Sequence, residues 1–386
     1  MSKYQNTRWK IISNVNDYNK IQYSWDKFII ENESPLFFHS SFIKNKMIEM
    51  ENNGFTPLLI TLNIKDEIVA ILPFKIKNTL FTKRIEFIYS EDYNPDIFIK
   101  GKYVDKVEQS ISHFLKKRFK NHIFRLTFSK NANSLKIIKM FNKDPKTKIL
   151  LSKLPGHRIL EKTGSWDDYV QDRSGKYRRQ FKRIIRKLEN DGTYEIMMEK
   201  DYSRLLMIRN IVEQRSWKSE WRRKRGLDIV HDDDFILQAI KLMPSDYGYK
   251  LYFLRFNKAI ISYVLVFNQS NVTYICKTTY NEDYKSYYPG LLLMNEAIQD
   301  MYEDQNITLF DFLTNMRFMS LWTKNVMPHY RVNIIPVQIH RNLKMYSYIM
   351  QLIKDTKLLP YYKDKLSPLI IRSRQNLQKL LNTFSK

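Results

Sequence analysis

The sequence has few of the residues that build redox, metal and nucleotide-binding motifs. It has one cysteine, Cys276, among 386 residues, so an internal disulfide is excluded and a reducing compartment is expected. We interpret this cysteine as a small core residue rather than a thiol nucleophile. The seven histidines have no partner at ligand spacing, and we predict no metal site. Only nine glycines occur, and the glycine motifs of P-loops, dinucleotide-binding folds and hydrolase elbows are missing.

Long apolar runs are also missing. The run Ala259–Phe267 is far shorter than the roughly 18 residues that a membrane-spanning helix needs. The segment Met1–Lys10 is polar and lacks the apolar region of a secretory signal. We therefore expect a cytoplasmic protein. Its length and its 43% of hydrophobic residues predict two domains with packed cores.

The charge is strongly of one sign. The chain has 65 basic and 40 acidic residues and a formal net charge of +25. Such an excess favours a polyanionic partner, which could be a nucleic acid, an anionic membrane surface or a phosphate-rich ligand. The alternative is a compositional bias of the lineage, because Lys, Ile, Asn and Tyr are all abundant.

The basic residues are densest in a predicted helix over Ser174–Asn190. Its apolar residues recur at helical spacing, with Tyr177, Phe181 and Leu188 on one stripe. Eight cations and no acid fall within fifteen residues, namely Arg173, Lys176, Arg178, Arg179, Lys182, Arg183, Arg186 and Lys187. Like charges without i,i+4 partners repel one another. We therefore favour a face that holds phosphate groups over a merely solvated one.

The segment 251–312 predicts chemistry most directly. Three consecutive strands lead into a loop that ends in Tyr288-Pro289-Gly290, and a helix to Tyr302 and a strand ending at Asp311 follow. A helix that begins directly after a tight loop offers free N–H groups and a favourable dipole to an anion. The loop is rich in tyrosine, and Tyr280, Tyr284 or Tyr287 could donate a proton to a leaving thiolate. Aromatic packing under the loop is the alternative.

The remaining segments predict a duplicated architecture. Both halves show a helical opening, antiparallel strands, a helix and a further strand, and we interpret this order as a structural repeat. The boundary is predicted at Pro155-Gly156, which gives an N-terminal domain over 1–154, a second over 155–340 and a basic helical tail over 341–386. Residues 1–32 are predicted to be helical, and the last strand is predicted over Val332–Ile339. Trp217–Arg225 interleaves aromatics with cations, and His231–Asp234 is interpreted as a helix start.

Five segments together resemble the GNAT-superfamily acyltransferases, in particular the cellulose-biosynthesis-type, BioF-like branch with two tandem GNAT-like halves. The resemblance covers roughly residues 30–340 and implies an α+β fold. Each of two GNAT-like lobes would be a mixed, largely antiparallel sheet flanked by helices, with a degenerate N-terminal lobe and a catalytic C-terminal one. The segments are Pro35-Leu36-Phe37 with the strands behind it, Ser174-Gly175-Lys176-Tyr177-Arg178-Arg179, Arg215-Ser216-Trp217-Lys218, Pro289-Gly290-Leu291-Leu292-Leu293, and Phe310-Asp311-Phe312 followed by Trp322.

The resemblance implies an N-acyltransferase that takes acetyl-CoA or another acyl-CoA as co-substrate and needs no metal. The donor would lie along a splayed central strand near Tyr274–Thr278, and an acceptor amine would attack its thioester directly. Asp311 would orient the acceptor or help to remove its proton. The donor-binding residues that it implies are Thr278, Pro289, Gly290, Leu291, Lys176 and Arg179. The acceptor would be an amino sugar or another amine of envelope polysaccharide metabolism.

Two alternatives stay open at this point. Fem-type transferases share the two-lobed architecture and take an aminoacyl group from tRNA, which would fit the net charge and a phosphate loop with a single glycine. The other alternative is a non-catalytic protein that binds a polyanion or an anionic membrane. In that case the basic tail Tyr361–Lys386 would be the peripheral contact with the inner membrane face.

Overall fold

The computed structural model describes residues 7–79, 82–89, 93–129, 132–142, 144–216 and 248–345, together with positions 220, 223–224, 236 and 239–241. Trp217, Trp221, His231–Asp234 and the tail from position 346 onward lie outside the described residues. Among the helices that are described, none is both long enough and apolar enough to cross a membrane.

The described residues build one sheet of 13 strands in which most neighbours are antiparallel. The strand order is β1-β2-β3-β4-β6-β13-β7-β12-β11-β10-β9-β8, and β5 pairs with β3. The strands are β1 (Thr7–Ile12), β2 (Phe55–Ile64), β3 (Glu67–Asn78), β4 (Lys83–Phe87), β5 (Phe98–Ile99), β6 (Ile123–Ser129), β7 (Thr147–Glu161), β8 (Tyr194–Glu199), β9 (Gly248–Phe256), β10 (Ala259–Gln269), β11 (Val272–Tyr280), β12 (Leu309–Asp311) and β13 (Val326–Pro336).

Helices flank this sheet, which confirms the predicted α+β class. They are α1 (Val15–Asn19), α2 (Gln22–Glu31), α3 (Ser40–Asn52), α4 (Val104–Arg118), α5 (Asn133–Asn142), α6 (Trp166–Asp172), α7 (Gly175–Asp191), α8 (Tyr202–Gln214) and α9 (Pro289–Glu303). The basic helix α7 is where its periodicity predicts it. It begins at the N-cap Ser174, whose side chain accepts from the Tyr177 N–H, and ends at Gly192.

The strand order has an internal symmetry that matches the predicted repeat. In each half a parallel pair is connected through a helix: β4 and β6 through α4, and β11 and β12 through α9. The halves also exchange their last strands. β13 inserts between β6 and β7, and the end of β7 pairs with β12. We call β1–β6 with β13 the N-terminal lobe and β8–β12 the C-terminal lobe, with β7 shared. The predicted boundary at 154/155 falls inside β7, so neither lobe can close its sheet alone.

Three apolar clusters support the sheet. One fills the N-terminal lobe under α4 and α5, and a second lies between the C-terminal sheet and the helices α7 and α9. The third joins the lobes, because Phe37 and Phe42 of the first half pack on Tyr274 and Phe267 of the second at ring-centroid distances of 5.8 and 5.9 Å. We call the face of the C-terminal sheet toward this third cluster the interlobe face, and the opposite one the α9 face.

Several sequence predictions of local structure were wrong. The predicted helical opening begins instead with β1, which forms an edge by pairing with β2. The strand β8 was not predicted, and its side chains are largely exposed, so it lacks a clear apolar pattern. The last strand begins at Val326 rather than Val332, and a helix occupies 337–345. The start of this strand was missed because a proline, here Pro328, normally argues against a central strand. Pro328 lies at a register shift, where a missing N–H is tolerated.

Candidate active site

Two neighbouring strands of the C-terminal sheet part at the predicted site. β11 pairs with β12 only over Val272–Tyr274 and Leu309–Asp311. After Asp311 the chain stays with β7 instead, because the Phe312 N–H donates to the Arg158 carbonyl at 3.1 Å. The second half of β11 therefore keeps β10 as its neighbour but diverges from β12. Among the described residues, no strand pairs with this side of β11 beyond Tyr274. We call this unpaired edge the cleft, and it lies at the position that the resemblance implies for the donor.

A β-bulge decides which side chains of β11 face each way. The register with β10 shifts so that Leu265 lies opposite Lys277 and Val266 opposite Ile275, which leaves Cys276 as the extra residue. Strict alternation would place Thr278 on the same face as Tyr274, the interlobe face. Because the bulge adds one residue, Thr278 lies opposite Val264, which packs on the α9 face. The bulge thus turns the end of β11 toward α9.

The N-terminus of α9 lies against these re-aimed residues. A Cβ built on Gly290 would be 3.5 Å from Thr278 Oγ1 and 3.7 Å from a ring carbon of Tyr280. The N-cap residue, Tyr288, is in the left-handed region at φ +51° and its side chain makes no capping hydrogen bond. Pro289 stands at the first helical position, where its missing N–H costs nothing. Predicted residues from two elements therefore meet at an uncapped, electropositive helix end.

The structure separates the three candidate tyrosines. Tyr280 lies beside Gly290, is half-buried, and burial raises the pKa of its phenol. Tyr284 and Tyr287 pack on Phe256 at ring-centroid distances of 6.1 and 4.9 Å. The Tyr287 hydroxyl also donates to Asp191 at 2.9 Å, a bond that raises the pKa of Tyr287. Of the three, Tyr280 adjoins the helix end, while the other two have the packing role that was the alternative interpretation.

The basic helix α7 runs antiparallel to α9. The Tyr177 hydroxyl donates to Asn295 in the middle of α9, whereas Lys187 donates to the Ser286 carbonyl at 3.3 Å, just before α9 begins. Pro289 lies six residues before Asn295, which is about 9 Å along α9 at 1.5 Å per residue. Because the helices are antiparallel, the same distance along α7 from Tyr177 leads to Arg183, and Arg183 is therefore level with the N-terminus of α9. The predicted phosphate ligands Lys176 and Arg179 therefore lie level with the middle of α9 rather than with its N-terminus.

The exposed cations of α7 differ from Arg223 and Lys224, near the tyrosine loop, in whether they form ion pairs. Five of them make no ion pair with any residue that the structure describes: Lys176, Arg179, Lys182, Arg183 and Arg186. Most of these line an open groove of about 580 Å³ with Lys187. Cations beside the tyrosine loop are instead ion-paired, since Arg223 and Lys224 lie 2.8 and 3.7 Å from carboxylate oxygens of Glu220. Compared with these two cations, the α7 face thus has positive charge that no ion pair among the described residues compensates.

Asp311 ends β12 on the interlobe face and is only 1% exposed. One of its oxygens accepts from the Leu313 N–H at 2.8 Å, and the other accepts from the Asn94 amide at 3.2 Å. His157 on β7 brings its Nδ1 to 3.5 Å from the first oxygen. His329 on β13 stacks edge-on against His157 at 4.6 Å and contacts the Asn94 amide oxygen.

This buried polar cluster was not predicted beyond Asp311. Burial and the neighbouring imidazole of His329 lower the pKa of His157 to about 3, so a neutral ring contacts the carboxylate. Burial, and then the charge of Asp311, raise the pKa values of Tyr274 and Cys276. The raised pKa keeps the Cys276 thiol protonated, which argues against its use as a thiolate nucleophile.

Metal chemistry has no candidate ligand set in the described part of the chain. No group of three or more His, Cys, Asp or Glu side chains converges there.

Comparison with known proteins finds a family similarity within the C-terminal lobe. Residues 175–318 match the family model described as Acetyltransferase (GNAT) domain. The matched GNAT segment begins at α7 and includes β11, α9 and Asp311, the elements that form the cleft. It supports an acyltransferase and covers less than half of the chain. No curated protein matches the chain in sequence.

Among the solved structures that are similar to this chain, FemX shows the same fold over most of it. The crystal structure of FemX is 9% identical, with a TM-score of 0.52, and the match covers 86% of this chain and 99% of FemX. A C-terminal domain of a lysylphosphatidylglycerol synthetase from Agrobacterium fabrum is 10% identical at a TM-score of 0.49, covering 82% and 91% of the two chains. A protein of unknown function from Bacteroides thetaiotaomicron is also 10% identical, with a TM-score of 0.48 and coverage of 85% and 99%. At such identities, the FemX match speaks to the fold alone.

Proposed function

We propose that this protein is an acyl-CoA-dependent N-acyltransferase. The observation that supports this most is the cleft itself. The bulge at Cys276 turns Thr278 and Tyr280 toward Gly290, so one wall of the cleft ends at an uncapped helix N-terminus. An acyl-CoA would lay its pantetheine arm along the free edge of β11 and its pyrophosphate at α9, where N–H groups and the dipole favour an anion.

The proposed reaction is a direct transfer. The acceptor amine attacks the thioester carbonyl carbon from the interlobe face, a C–N bond forms, and the C–S bond of the tetrahedral intermediate breaks. Backbone N–H groups near the bulge would stabilise the oxyanion. Asp311 takes up the proton lost by the amine. Water protonates the leaving thiolate, because Tyr280 adjoins the proposed pyrophosphate position beside Gly290 and not the thioester. We propose an amino sugar or a similar amine of envelope glycan metabolism as the acceptor.

Gly290→Ala tests the donor site. The methyl group would meet Thr278 only at ordinary contact distance, and alanine is a better helix former than glycine, so thermal stability should be unchanged or slightly raised. The same methyl group would keep a pyrophosphate from the backbone, and we expect CoA affinity to fall by about tenfold. Calorimetric titration with CoA measures this.

The matched control is Gly101→Ala. Gly101 precedes α4, the N-terminal counterpart of α9, and a Cβ there meets nothing within 4 Å. It should bind CoA as the wild type does. Equal affinity of the Gly290 and Gly101 variants for CoA would contradict a donor site at α9.

A second candidate is an aminoacyl-tRNA-dependent transferase. The uncompensated face of α7 favours it, because the three phosphate groups of CoA need fewer cations than this helix presents. An RNA backbone carries one charge per nucleotide and could occupy the whole groove, with its aminoacyl end in the cleft.

Arg183→Gln with Arg186→Gln discriminates the donors. If tRNA is the donor, the double variant should bind it more weakly, and the slope of log K against log salt should decrease by about 0.7 to 0.9 for each phosphate group that the protein no longer neutralises. The matched control is Arg223→Gln with Lys224→Gln, which removes two cations that are already ion-paired with Glu220. Filter binding across salt concentrations measures both. Equal slopes for the two double variants would count against a nucleic-acid donor on α7.

A further inference from the structure

Asn94 connects three elements that are distant in sequence. Its amide Nδ2 donates to Asp311 Oδ2 at 3.2 Å, across a separation of 217 residues. Its Oδ1 lies 3.2 Å from His329 Nε2, across 235 residues. The side chain thus joins a loop of the N-terminal lobe to β12 and to β13.

The chemistry of these two contacts fixes the orientation of the amide. An ionised carboxylate only accepts hydrogen bonds, so the NH₂ group of Asn94 must face Asp311. Its oxygen then faces His329 and accepts from the Nε2–H, which selects one tautomer of that ring. An amide held at both ends presents its donor to Asp311 in a single direction.

The backbone conformation at Asn94 restricts which residues can make these two contacts. Its φ is +47°, in the left-handed region that few residues other than Gly, Asn and Asp adopt readily. Of these three, glycine has no side chain, and aspartate would set a second carboxylate against Asp311. Asparagine alone combines this backbone conformation with a donor for one neighbour and an acceptor for the other.

We infer that Asn94 is a positioning residue for the acyl transfer, so that the N-terminal lobe completes the active site of the C-terminal lobe. It holds the Asp311 carboxylate in the orientation in which that group receives the proton of the acceptor amine. The inference rests on the proposed function, since it concerns the same reaction. It gives the N-terminal lobe, which the resemblance implies to be degenerate, a part in the chemistry.

Two substitutions separate positioning from folding. Asn94→Gly removes the side chain and keeps a residue suited to φ +47°. We expect it to lower kcat by about ten- to a hundredfold with KM for acyl-CoA within about twofold, as for a misplaced catalytic group. Asn94→Asp keeps the shape but sets two carboxylates side by side, which resist ionising together. The acid limb of its kcat profile should therefore move to higher pH.

The titratable groups that face Asp311 must be accounted for in such a profile. They are His157 on β7, His329 on β13, and Tyr274 and Cys276 on β11. None of them changes in either variant. Both variants remove the donor that faces Asp311, so a movement of the acid limb in Asn94→Asp beyond that in Asn94→Gly would report the added carboxylate.

A measurement that does not need turnover distinguishes the positioning role of Asn94 from the proposed acyl transfer. The titration of Asp311 can be followed by NMR on protein with ¹³C-labelled aspartate, with the Asp311→Asn spectrum as the assignment. A titration that shifts in Asn94→Asp, together with the fall in kcat, supports the inference. A shifted titration with wild-type kcat and pH profile overturns the positioning role and leaves the acyl transfer intact. Identical titrations in all three proteins overturn the contact itself. Absence of turnover by the wild type with acyl-CoA or aminoacyl-tRNA overturns the proposed function, and the positioning role with it.

Discussion

Asp311→Asn is expected to lower the turnover of acyl transfer by about 10²- to 10⁴-fold, the usual contribution of a positioned acid or base. The substitution removes the charge that would take up the amine proton and changes the volume of the side chain very little. Donor affinity should stay within about twofold, because the predicted phosphate contacts lie on the α9 face and Asp311 lies on the interlobe face. Thiol release from acyl-CoA with a panel of amines measures turnover, and CoA titration measures affinity.

The local hydrogen bonds of Asp311 supply a control for this variant. In Asp311→Asn the new NH₂ group can face that of Asn94, which is itself a donor. The double variant Asn94→Asp, Asp311→Asn restores a donor opposite an acceptor and moves the carboxylate to the other side of the same contact. We expect it to fold like the wild type and to stay slow. Recovery of turnover in the double variant would show that a charge anywhere in the cluster suffices.

The elements that the sequence predicted best are those with a local cause. The helix α7 follows from a 3.6-residue stripe and a Ser N-cap, and the hairpin of β9 and β10 follows from two apolar runs around Asn257-Lys258, both of which have positive φ. α9 was predicted to open at Leu291 after the Tyr288-Pro289-Gly290 loop, and the structure begins it two residues earlier, at Pro289. Each of these signals lies within a few residues, so no knowledge of the tertiary structure is needed to interpret it.

The parts of the site that could not be predicted depend on pairing between distant segments. Nothing near His157 or Asn94 marks either residue as a neighbour of Asp311, because they meet only after β7 and β13 have been exchanged between the lobes. The bulge is a similar case. The strand over Val272–Thr278 was predicted, but the extra residue at Cys276 is set by its register with β10. That register decides which face Thr278 occupies.

Pro155-Gly156 shows how one dipeptide supports two opposite interpretations. From sequence it is typical of a linker, and we predict the domain boundary there. In the structure both residues lie inside β7, in the middle of the sheet. Gly156 has φ +71° and is opposite the register shift of β13 between Met327 and His329. A glycine in a strand can mark close backbone approach as well as a chain break.

Gly156→Ala is therefore expected to be among the most destabilising single substitutions in this chain. A Cβ at this position would lie 2.0 Å from the carbonyl oxygen of Met327 and 3.2 Å from Cα of Pro328. Both atoms belong to the backbone of β13, so no side-chain rotation can relieve the overlap, and β7 and β13 must separate. We expect the free energy of unfolding to fall by at least about 4 kcal/mol, at the upper end of single-residue effects. Denaturant titration followed by far-UV circular dichroism measures the change.

Gly54→Ala isolates the close approach from the backbone conformation. Gly54 also has φ +71°, but a Cβ there meets nothing within 4 Å, so its substitution should cost only the left-handed strain of about 1–2 kcal/mol. The difference between the two variants is then the cost of parting the exchanged strands. Because His157 follows Gly156 directly and contacts Asp311, whatever Gly156→Ala protein remains folded should also turn over more slowly, whereas Gly54→Ala should not. If both variants lose the same free energy of unfolding, β13 can shift freely against β7. The cluster around Asp311 would then lack the rigid frame on which the proposed positioning of its carboxylate depends.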